Sequence, residues 1–296
     1  MDYSHLYSGE HLKKINPSWT YKKWSYRYTF EAKMHYILNL LDSLAKDTKI
    51  LDAGCGQGLL VEEFHSRGYD IKGIDAFYSS ELVRKDDLLK NGFADNTFDV
   101  ILCLDVIEHF QKDEQEDVVK ELTRILKPEG RIIWSIPNKG NLTARIFFFI
   151  SKLSRTAKPE YHPGDRAISE YLSFMKKYLE IEDLKGLSPT IPLLFQLTQL
   201  FPQYTGWLYT LIKPFSYFYS WCFNVVVVGR KKLKSTEFST GLGSVAKNAT
   251  SHGENSGSPK ESGRAKRACH RSLTGGVRVS NIISNCFYHN SQTNNL

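Results

Sequence analysis

The sequence contains the run Ile50-Leu51-Asp52-Ala53-Gly54-Cys55-Gly56-Gln57-Gly58, and this run decides the fold. Its first residues are apolar, as in a strand buried within a sheet. Its glycines allow a tight turn that a ligand can approach closely, because glycine has no Cβ. Residues 59–64 then show the apolar spacing of a helix. A glycine-lined turn between a strand and a helix is where open α/β sheets bind nucleotide-like ligands.

The glycine spacing distinguishes between such ligands. A dinucleotide-binding turn has the pattern G-x-G-x-x-G. Counted from Gly54, the third glycine would fall at position 59, where the sequence has Leu59. The pattern present is G-x-G-x-G, with Asp52 two residues before the first glycine. A nicotinamide-dependent oxidoreductase is therefore disfavoured, and a side-by-side binding test with NAD would exclude it.

Further apolar runs predict a parallel sheet. Residues 69–75 indicate a second strand that ends in Asp75, about 20 residues beyond the glycines, where a carboxylate accepts hydrogen bonds from ribose hydroxyls. Residues 98–104 are typical of a strand buried on both faces. Helices are expected over residues 30–44, 113–126 and 168–178 from their apolar spacing. The last strands are expected at 179–184 and 224–230.

Three motifs in these elements resemble class I S-adenosylmethionine (SAM) methyltransferases. The run Ile50–Gly58 resembles their motif I. Phe-Asp-Val-Ile followed by Val-Ile-Glu-His, within residues 98–109, resembles the fourth motif of the small-molecule members, such as the methyltransferase 11 and 23 and ubiquinone-pathway O-methyltransferase groups. Lys127-Pro128-Glu129-Gly130 resembles the usual Lys-Pro-Gly-Gly turn, with Glu129 in place of the first glycine. The resemblance covers roughly residues 30–232. It implies an α/β fold with a Rossmann-like doubly wound sheet, mostly parallel with an antiparallel last strand, and SAM as cofactor.

The resemblance also implies which residues bind the cofactor. Asp75 would bind the ribose, Ala76 and Phe77 would lie beside the adenine, and Asp87 would accept a hydrogen bond from the adenine amino group. The segment between Asp75 and Phe98 is about half the usual length, so a shortened third strand is expected at 81–86 without the usual helix before it. A solvated turn acid is the alternative for Asp87. The full predicted set is Asp52, Ala53, Gly54, Cys55, Gly56, Gly58, Asp75, Ala76, Phe77, Asp87, Leu88 and Leu104.

Candidates for catalysis are fewer. A base that removes a proton assists transfer to an oxygen acceptor. His109 follows the fourth strand, next to the expected methyl position, and is the first candidate; His162 is the second. An orienting or packing role is the alternative for His109. The ubiquinone-pathway relatives also suggest a divalent ion at Glu108 and His109 together with Asp105. We predict no metal, because Asp105 suits a helix N-cap.

The resemblance implies a SAM-dependent methyltransferase domain at residues 30–232. Composition marks an aromatic N-terminal arm (1–29) before it and a basic tail (233–296) after it that is expected to be disordered. The arm either folds over the substrate side or is a packed extension. Most of the formal net charge of +7 lies in the tail. The domain has no basic stripe with interleaved aromatic residues, so no nucleic-acid partner is expected. Sparse cysteines without metal-ligand spacing indicate a reducing compartment, and the polar first residues lack a signal peptide's apolar core, so the predicted location is cytoplasmic.

A helical insertion rich in Leu, Phe, Tyr and Trp is predicted at residues 188–223, before the last strand. It is too often interrupted by Pro, Gln and Gly to cross a membrane. Its composition favours a lid over a lipid-linked acceptor or peripheral membrane contact aided by Lys213, Lys231 and Lys232, with core packing as the alternative. The predicted function is methyl transfer from SAM to oxygen of a small or lipid-like acceptor. The alternative is a catalytically silent SAM-binding partner or regulatory protein.

Overall fold

A single seven-stranded sheet forms the centre of the protein in a computed structural model that describes residues 3–146 and 164–233. The strand order is β3-β2-β1-β4-β5-β7-β6. The first five strands in the chain pair in parallel, and β7 runs antiparallel to both of its neighbours. The strands are β1 (Ile50–Ala53), β2 (Ile71–Asp75), β3 (Val83–Lys85), β4 (Phe98–Leu104), β5 (Leu126–Pro137), β6 (Leu179–Pro189) and β7 (Cys222–Lys231). The predicted doubly wound sheet with an antiparallel last strand is therefore confirmed.

Helices cover both faces of this sheet. The described α-helices are α1 (Glu10–Ile15), α2 (Arg27–Asp42), α3 (Leu59–Ser66), α4 (Gln115–Ile125), α5 (Ile168–Tyr178), α6 (Leu194–Leu200) and α7 (Gly206–Ile212). Short 3-10 turns occur at Ser4–Leu6, Tyr21–Lys23, Leu88–Lys90, Ile107–His109, Lys213–Tyr217 and Tyr219–Trp221. The helix expected at 168–178 is found with those bounds, and those expected at 30–44 and 113–126 differ by a few residues at their ends.

Side chains of neighbouring strand residues enter two separate cores, because successive side chains of a strand point to opposite faces. Leu51 and Ile101 contribute to the core beneath α4 and α5. Ile50 and Leu102 contribute to the core beneath α2 and α3. Burial on both faces explains why these strands read as unbroken apolar runs in the sequence.

The short third strand is confirmed at Val83–Lys85. Residues 76–82, all of them described, contain bends and loop but no helix. The chain therefore crosses from β2 to β3 with a loop where related folds use a helix, as the length of this segment predicted.

The connection between the last two strands starts and ends at one edge of the sheet. Pro189, at the end of β6, pairs with Cys222, at the start of β7, and the neighbouring Asn224 pairs with Pro137, at the end of β5. We call residues 190–221 the aromatic connection. Since β5 is parallel to β1 and β4, this connection lies at the carboxyl edge, where the glycine turn also lies.

Several predictions concern residues that the structure does not describe. His162 and all of the tail except Leu233 lie outside the described residues, so their roles stay predictions. The described residues belong to one compact unit, Met1–Leu233. In that unit Cys55, Cys103 and Cys222 are free thiols, and no described helix is long and apolar enough to span a bilayer.

Candidate functional site

The glycine turn joins β1 to α3 with left-handed backbone at each of its glycines. The φ angles of Gly54, Gly56 and Gly58 are 80°, 56° and 77°. A Cβ on Gly54 would lie 2.5 Å from the Val106 side chain, and one on Gly58 would lie 2.5 Å from Val83. A Cβ on Gly56 would meet no atom within 4 Å in the described part of the chain. Gly54 and Gly58 are therefore required by packing within the protein, whereas Gly56 faces open space that a ligand can fill.

Asp75, at the end of β2, holds this turn in place. Its Oδ2 accepts a hydrogen bond of 2.9 Å from the Gly56 N–H. Its Oδ1 accepts from the N–H groups of Phe77 and Tyr78, at 2.8 and 3.2 Å. A carboxylate has about four acceptor positions, so Asp75 can still receive hydroxyl groups of a ligand beside Gly56. The predicted ribose acid and the predicted glycine turn are thus in direct contact.

The residues predicted to surround an adenine lie next to Asp75. The Phe77 side chain is 52% exposed, which leaves a ring face open to a planar ligand. The Asp86 N–H donates to the Asp75 carbonyl, which places Asp87 beside the end of β2. Asp87 is exposed, and its Oδ1 caps the following turn by accepting from the Leu89 N–H at 2.9 Å. Leu88 is buried beneath the turn.

Asp52 places a second carboxylate near the end of β1, just before the glycine turn. Its side chain is buried at the end of β1. Burial first, and then the nearby charge of Asp75, raise the pKa of Asp52 to about 7, while Lys33 opposes the change. A buried acid with such a pKa is stabilised in its charged form by a cation that binds beside it.

Lys33 lies opposite these acids, on α2. It is buried, and its ammonium forms an ion pair with Asp105, the residue that follows β4. The other oxygen of Asp105 accepts from Ser135 Oγ at 2.6 Å and from Asn224 Nδ2 at 2.9 Å. Partial burial acts to raise the pKa of Asp105, but Lys33 and these hydrogen bonds outweigh it and lower the pKa.

This arrangement corrects the sequence-based interpretation of Asp105. It is not a helix N-cap, because the 3-10 turn Ile107–His109 begins after Val106, whose side chain makes no capping bond. Asp105 instead adopts a φ of 56°, a left-handed conformation that Asp tolerates better than most residues, and turns its carboxylate toward Lys33.

Glu108 and His109 follow on that turn. Glu108 is buried, and one of its carboxylate oxygens has no hydrogen-bond partner among the residues that the structure describes. Burial and the charge of Asp105 raise the pKa of Glu108 well above its usual range. His109 is half-buried, and its N–H donates to the Val106 carbonyl at 3.0 Å.

A divalent ion does not fit these residues. Lys33 lies at the one oxygen of Asp105 that the neutral donors leave open, so a cation already stands where the ion would bind. In the part of the chain that the structure describes, no group of three or more His, Cys, Asp and Glu side chains is arranged to hold a metal.

The N-terminal arm contacts both the glycine turn and the aromatic connection. Glu10 of α1 accepts from the Gln57 side chain at 3.3 Å, so the arm reaches the glycine turn. Tyr28, at the start of α2, stacks on Tyr209 with ring centroids 4.8 Å apart. Tyr28 also donates its hydroxyl hydrogen bond to the Pro202 carbonyl. The start of α2 therefore links the cofactor region to the aromatic connection.

Two of the lysines predicted to meet anionic head groups are wrongly placed for that role. Lys231 binds Asn96 Oδ1 and the Leu126 carbonyl, and Lys232 binds the Lys176 carbonyl. These contacts lie at the amino edge of the sheet, about 30 Å along β7 from Cys222. The prediction failed because a strand of ten residues carries its two ends to opposite edges. Lys213 alone of the three lies on the connection.

Sequence reasoning missed Lys33, Ser135 and Asn224. A signal for Lys33 was present, since it falls on the apolar stripe of α2 between Phe30 and Ile37. A charged residue on a buried face needs a charged partner. Ser135 and Asn224 carry no such signal, because each is a single polar residue in an apolar strand and its partner is distant in the sequence.

Comparisons with known proteins agree with this geometry. A family model described as a methyltransferase domain matches residues 24–175, just over half of the chain. The chain is 28% identical over 205 residues to a ubiquinone biosynthesis O-methyltransferase of Rickettsia bellii, covering 60% of this chain and 83% of that protein. It is 33% identical over 143 residues to the enzyme of the same name from Idiomarina loihiensis, covering 43% of this chain and 52% of that protein.

Among solved structures, the fold resembles magnesium protoporphyrin IX methyltransferase from Synechocystis with bound SAH. The TM-score is 0.51 and the identity 14%, covering 78% of this chain and 97% of that one.

Proposed function

This chain belongs to the methyltransferase-domain family and uses S-adenosyl-L-methionine, and we propose that it transfers the methyl group to an oxygen atom of a small, lipid-like acceptor. The observation that carries the proposal is the open space at Gly56, bordered by the Asp75 carboxylate. Gly56 leaves its backbone open to a ligand, and the Asp75 carboxylate beside it can accept hydrogen bonds from hydroxyl groups. A ribose requires both features.

The predicted cofactor residues take their roles from this arrangement. Asp75 binds the ribose hydroxyls through the acceptor positions that its backbone donors leave free. Phe77 covers one face of the adenine, and Asp87 accepts from the adenine amino group with the oxygen that does not cap the Leu88–Lys90 turn. Gly54 and Gly58 keep the turn in shape, while Ala53, Cys55, Leu88 and Leu104 form its packed base.

The charges of the site fit the amino-acid end of the cofactor, which carries a carboxylate, an ammonium and a sulfonium. Asp52, buried and close to its point of ionisation, stabilises the positive groups. The partly buried Asp105 holds the Lys33 ammonium at the end of β4, and we assign Lys33 to the carboxylate of the cofactor. These assignments make Lys33 a binding residue that the sequence motifs did not reveal.

The cofactor supplies an activated methyl group for in-line displacement. The protein orients the acceptor and removes its proton, and we assign the second task to His109 on the turn after β4. Gly164 packs on that turn. Its N–H donates to the Glu108 carbonyl at 3.1 Å, and the Gln115 side chain donates to the Gly164 carbonyl at 2.8 Å. This contact keeps the turn in one position relative to the end of β4.

Two observations support the nature of the acceptor. The relatives in ubiquinone biosynthesis are O-methyltransferases by name. The aromatic connection lies at the carboxyl edge and offers an apolar surface there, which favours a lipid-like molecule over a free sugar or amino acid. The same surface supports peripheral membrane contact of a cytoplasmic enzyme.

The test is incubation of the purified chain with methyl-labelled SAM and a cell extract, followed by separation of lipid, polysaccharide, protein and small-molecule fractions. We expect label in the lipid fraction, bound through an ether that resists mild alkali. A Gly56→Val variant serves as the inactive control. Label in another fraction would contradict the acceptor class, and SAM binding without labelling of any fraction would favour the silent binding protein.

A further inference from the structure

The aromatic connection exposes an unusual amount of apolar surface for a protein in water. Four of its side chains are exposed by 70% or more: Leu193 at 77%, Tyr204 at 70%, Trp207 at 71% and Tyr217 at 85%. Lys213 is the only charged residue between Thr190 and Trp221. Contiguous exposed apolar patches mark interaction surfaces more often than they mark ordinary protein exterior.

Several of the exposed residues share helix faces. Leu197 and Leu200 lie three residues apart on α6, which Leu193 immediately precedes, and Trp207 and Leu211 lie four apart on α7. Residues at these spacings project from one side of a helix. A second face of α7 carries Leu208 and Ile212, which are buried. Helix α7 therefore has apolar side chains on its exposed face as well as on the face that it packs inward.

The N-terminal arm carries a group of lysines. Lys13, Lys14, Lys22 and Lys23 are exposed, and none forms an ion pair within the described residues. The arm carries five basic residues, Lys13, Lys14, Lys22, Lys23 and Arg27, against the two carboxylates of Asp2 and Glu10. The arm therefore has an excess of positive charge.

A ring contact joins the arm to the connection, since Tyr28 stacks on Tyr209. Tyr26 stacks on Phe223 of β7, just beyond the connection, with centroids 5.3 Å apart. Lys22 and Lys23 immediately precede these tyrosines, so they lie within a few residues of the contact with the connection. We call Lys22, Lys23 and the exposed apolar residues of the connection together the docking surface.

We propose that the docking surface binds a bilayer that contains anionic lipid. The apolar residues enter the boundary between head groups and acyl chains, with Trp and Tyr at the level where aromatic residues concentrate. The lysines lie over the anionic head groups, where each contributes about a fivefold gain in partitioning. Membrane binding itself does not depend on the proposed function. Only the interpretation of the site at the membrane-facing edge as a methyl-transfer site rests on the proposed function.

This orientation has a consequence for catalysis. The glycine turn, the end of β4 and the aromatic connection all lie at the carboxyl edge. A bilayer against the connection therefore brings a membrane-dissolved acceptor to the edge of the sheet where the cofactor lies.

The test is flotation of the full chain with vesicles of phosphatidylcholine alone and of phosphatidylcholine with phosphatidylserine. We expect binding to the anionic vesicles and much weaker binding to the neutral ones. Trp207→Ser should lower partitioning about tenfold, because it removes one buried aromatic side chain. The pair Lys22→Glu and Lys23→Glu should lower it more than about twentyfold.

Matched controls come from exposed residues at the amino edge. Leu233→Ser removes an apolar side chain that is 54% exposed, and Lys72→Glu with Lys176→Glu reverses two exposed lysines. These variants should float like the parent. Equal losses in the controls, or no binding of the parent to either vesicle, would overturn the proposal. A dimer on gel filtration that Trp207→Ser dissolves would also overturn it and assign the surface to a second copy.

Calorimetry with SAM on the same preparations separates this proposal from the proposed function. Normal SAM affinity without vesicle binding refutes the docking surface alone. Vesicle binding by a chain that does not bind SAM refutes the proposed function alone.

Discussion

Two parts of the carboxyl edge differ in almost every physical property. The cofactor part, made by the ends of β1, β2 and β4, is built from short turns whose glycines and acids contact one another within hydrogen-bond distance. The part that we propose for the acceptor, the aromatic connection, is long, nearly uncharged and exposes large apolar side chains. A ligand bound by hydrogen bonds requires donor and acceptor atoms at defined positions. An apolar partner requires only enough apolar surface area to bury. The two parts should therefore respond differently to small changes.

The cofactor part should fail on addition of one side chain. We expect Gly56→Val to abolish SAM binding in calorimetry, because its branched side chain fills the open space beside Asp75. Gly68→Val is a matched control, since Gly68 also has a positive φ, 84°, and open space around its Cβ. Both variants should lose about 1–2 kcal/mol of stability from backbone strain. Undiminished SAM binding in Gly56→Val would refute the assignment of this turn.

Removal of one carboxylate should have the next largest effect. Asp75→Ala should weaken SAM binding by about 1.5–3 kcal/mol, the range for hydrogen bonds to a charged group. Asp75→Asn keeps the shape and part of the acceptor capacity, so its loss should be smaller. Thermal melting checks that the backbone bonds from Phe77 and Tyr78 are not required for folding. Equal affinity in all three proteins would remove Asp75 from the ribose site.

The pH dependence of SAM binding should reveal Asp52. The pKa of this acid is raised to about 7 in the free protein, and a bound cation lowers it, so binding releases a proton and strengthens as pH rises through 7. We expect affinity to rise about threefold to tenfold from pH 6 to pH 8. The sign for folding is opposite: the free protein loses stability from pH 4 to 7, because its native state holds the proton more tightly.

Asp52→Asn is the control for this prediction. It should flatten both the pH dependence of binding and the pH dependence of melting over this range. Calorimetry in buffers of different ionisation enthalpy counts the released proton. An unchanged pH profile in Asp52→Asn would assign the effect to another group.

Metal removal should have the smallest effect. Because Lys33 stands at Asp105 where a divalent ion would bind, we expect the transfer rate in excess EDTA to equal the untreated rate. A Lys33→Met variant should weaken SAM binding in the same assay without becoming dependent on added Mg²⁺. A loss of activity in EDTA that Mg²⁺ restores would show that this site holds a metal after all.

The fold could be predicted because the sequence patterns that specify it lie within short segments of the chain. The run Ile50–Gly58 combines a buried strand, a turn that requires positive φ and a helix start, and few structures satisfy all three. The short crossing from Asp75 to Val83 followed from segment length alone. The antiparallel last strand came from the family resemblance, since an apolar run such as residues 224–230 does not state its direction.

The site was predictable only where contacts are close in sequence or fixed by a motif. Asp75 and Gly56 are 19 residues apart; Asp75 ends β2, and Gly56 lies in the turn that follows the adjacent parallel strand β1. Lys33 and Asp105 are 72 residues apart, and Asp105 and Asn224 are 119 apart. No local pattern couples such pairs, so Asp105 was interpreted from its neighbours as a helix cap. The predicted contact of Lys231 with anionic head groups failed for a related reason, because the position of Lys231 depends on the direction of β7.

The place of β7 in the sheet has a consequence for the order in which the protein is assembled. Among the strands that the structure describes, β7 comes last in the sequence, yet it lies between β5 and β6. During synthesis the first five strands can join as soon as they emerge, but β6 has no strand to pair with until residues 222–231 arrive. Unpaired strand edges favour aggregation. The sheet is therefore complete only when β7 pairs with both β5 and β6. The same pairing fixes the two ends of the aromatic connection next to each other.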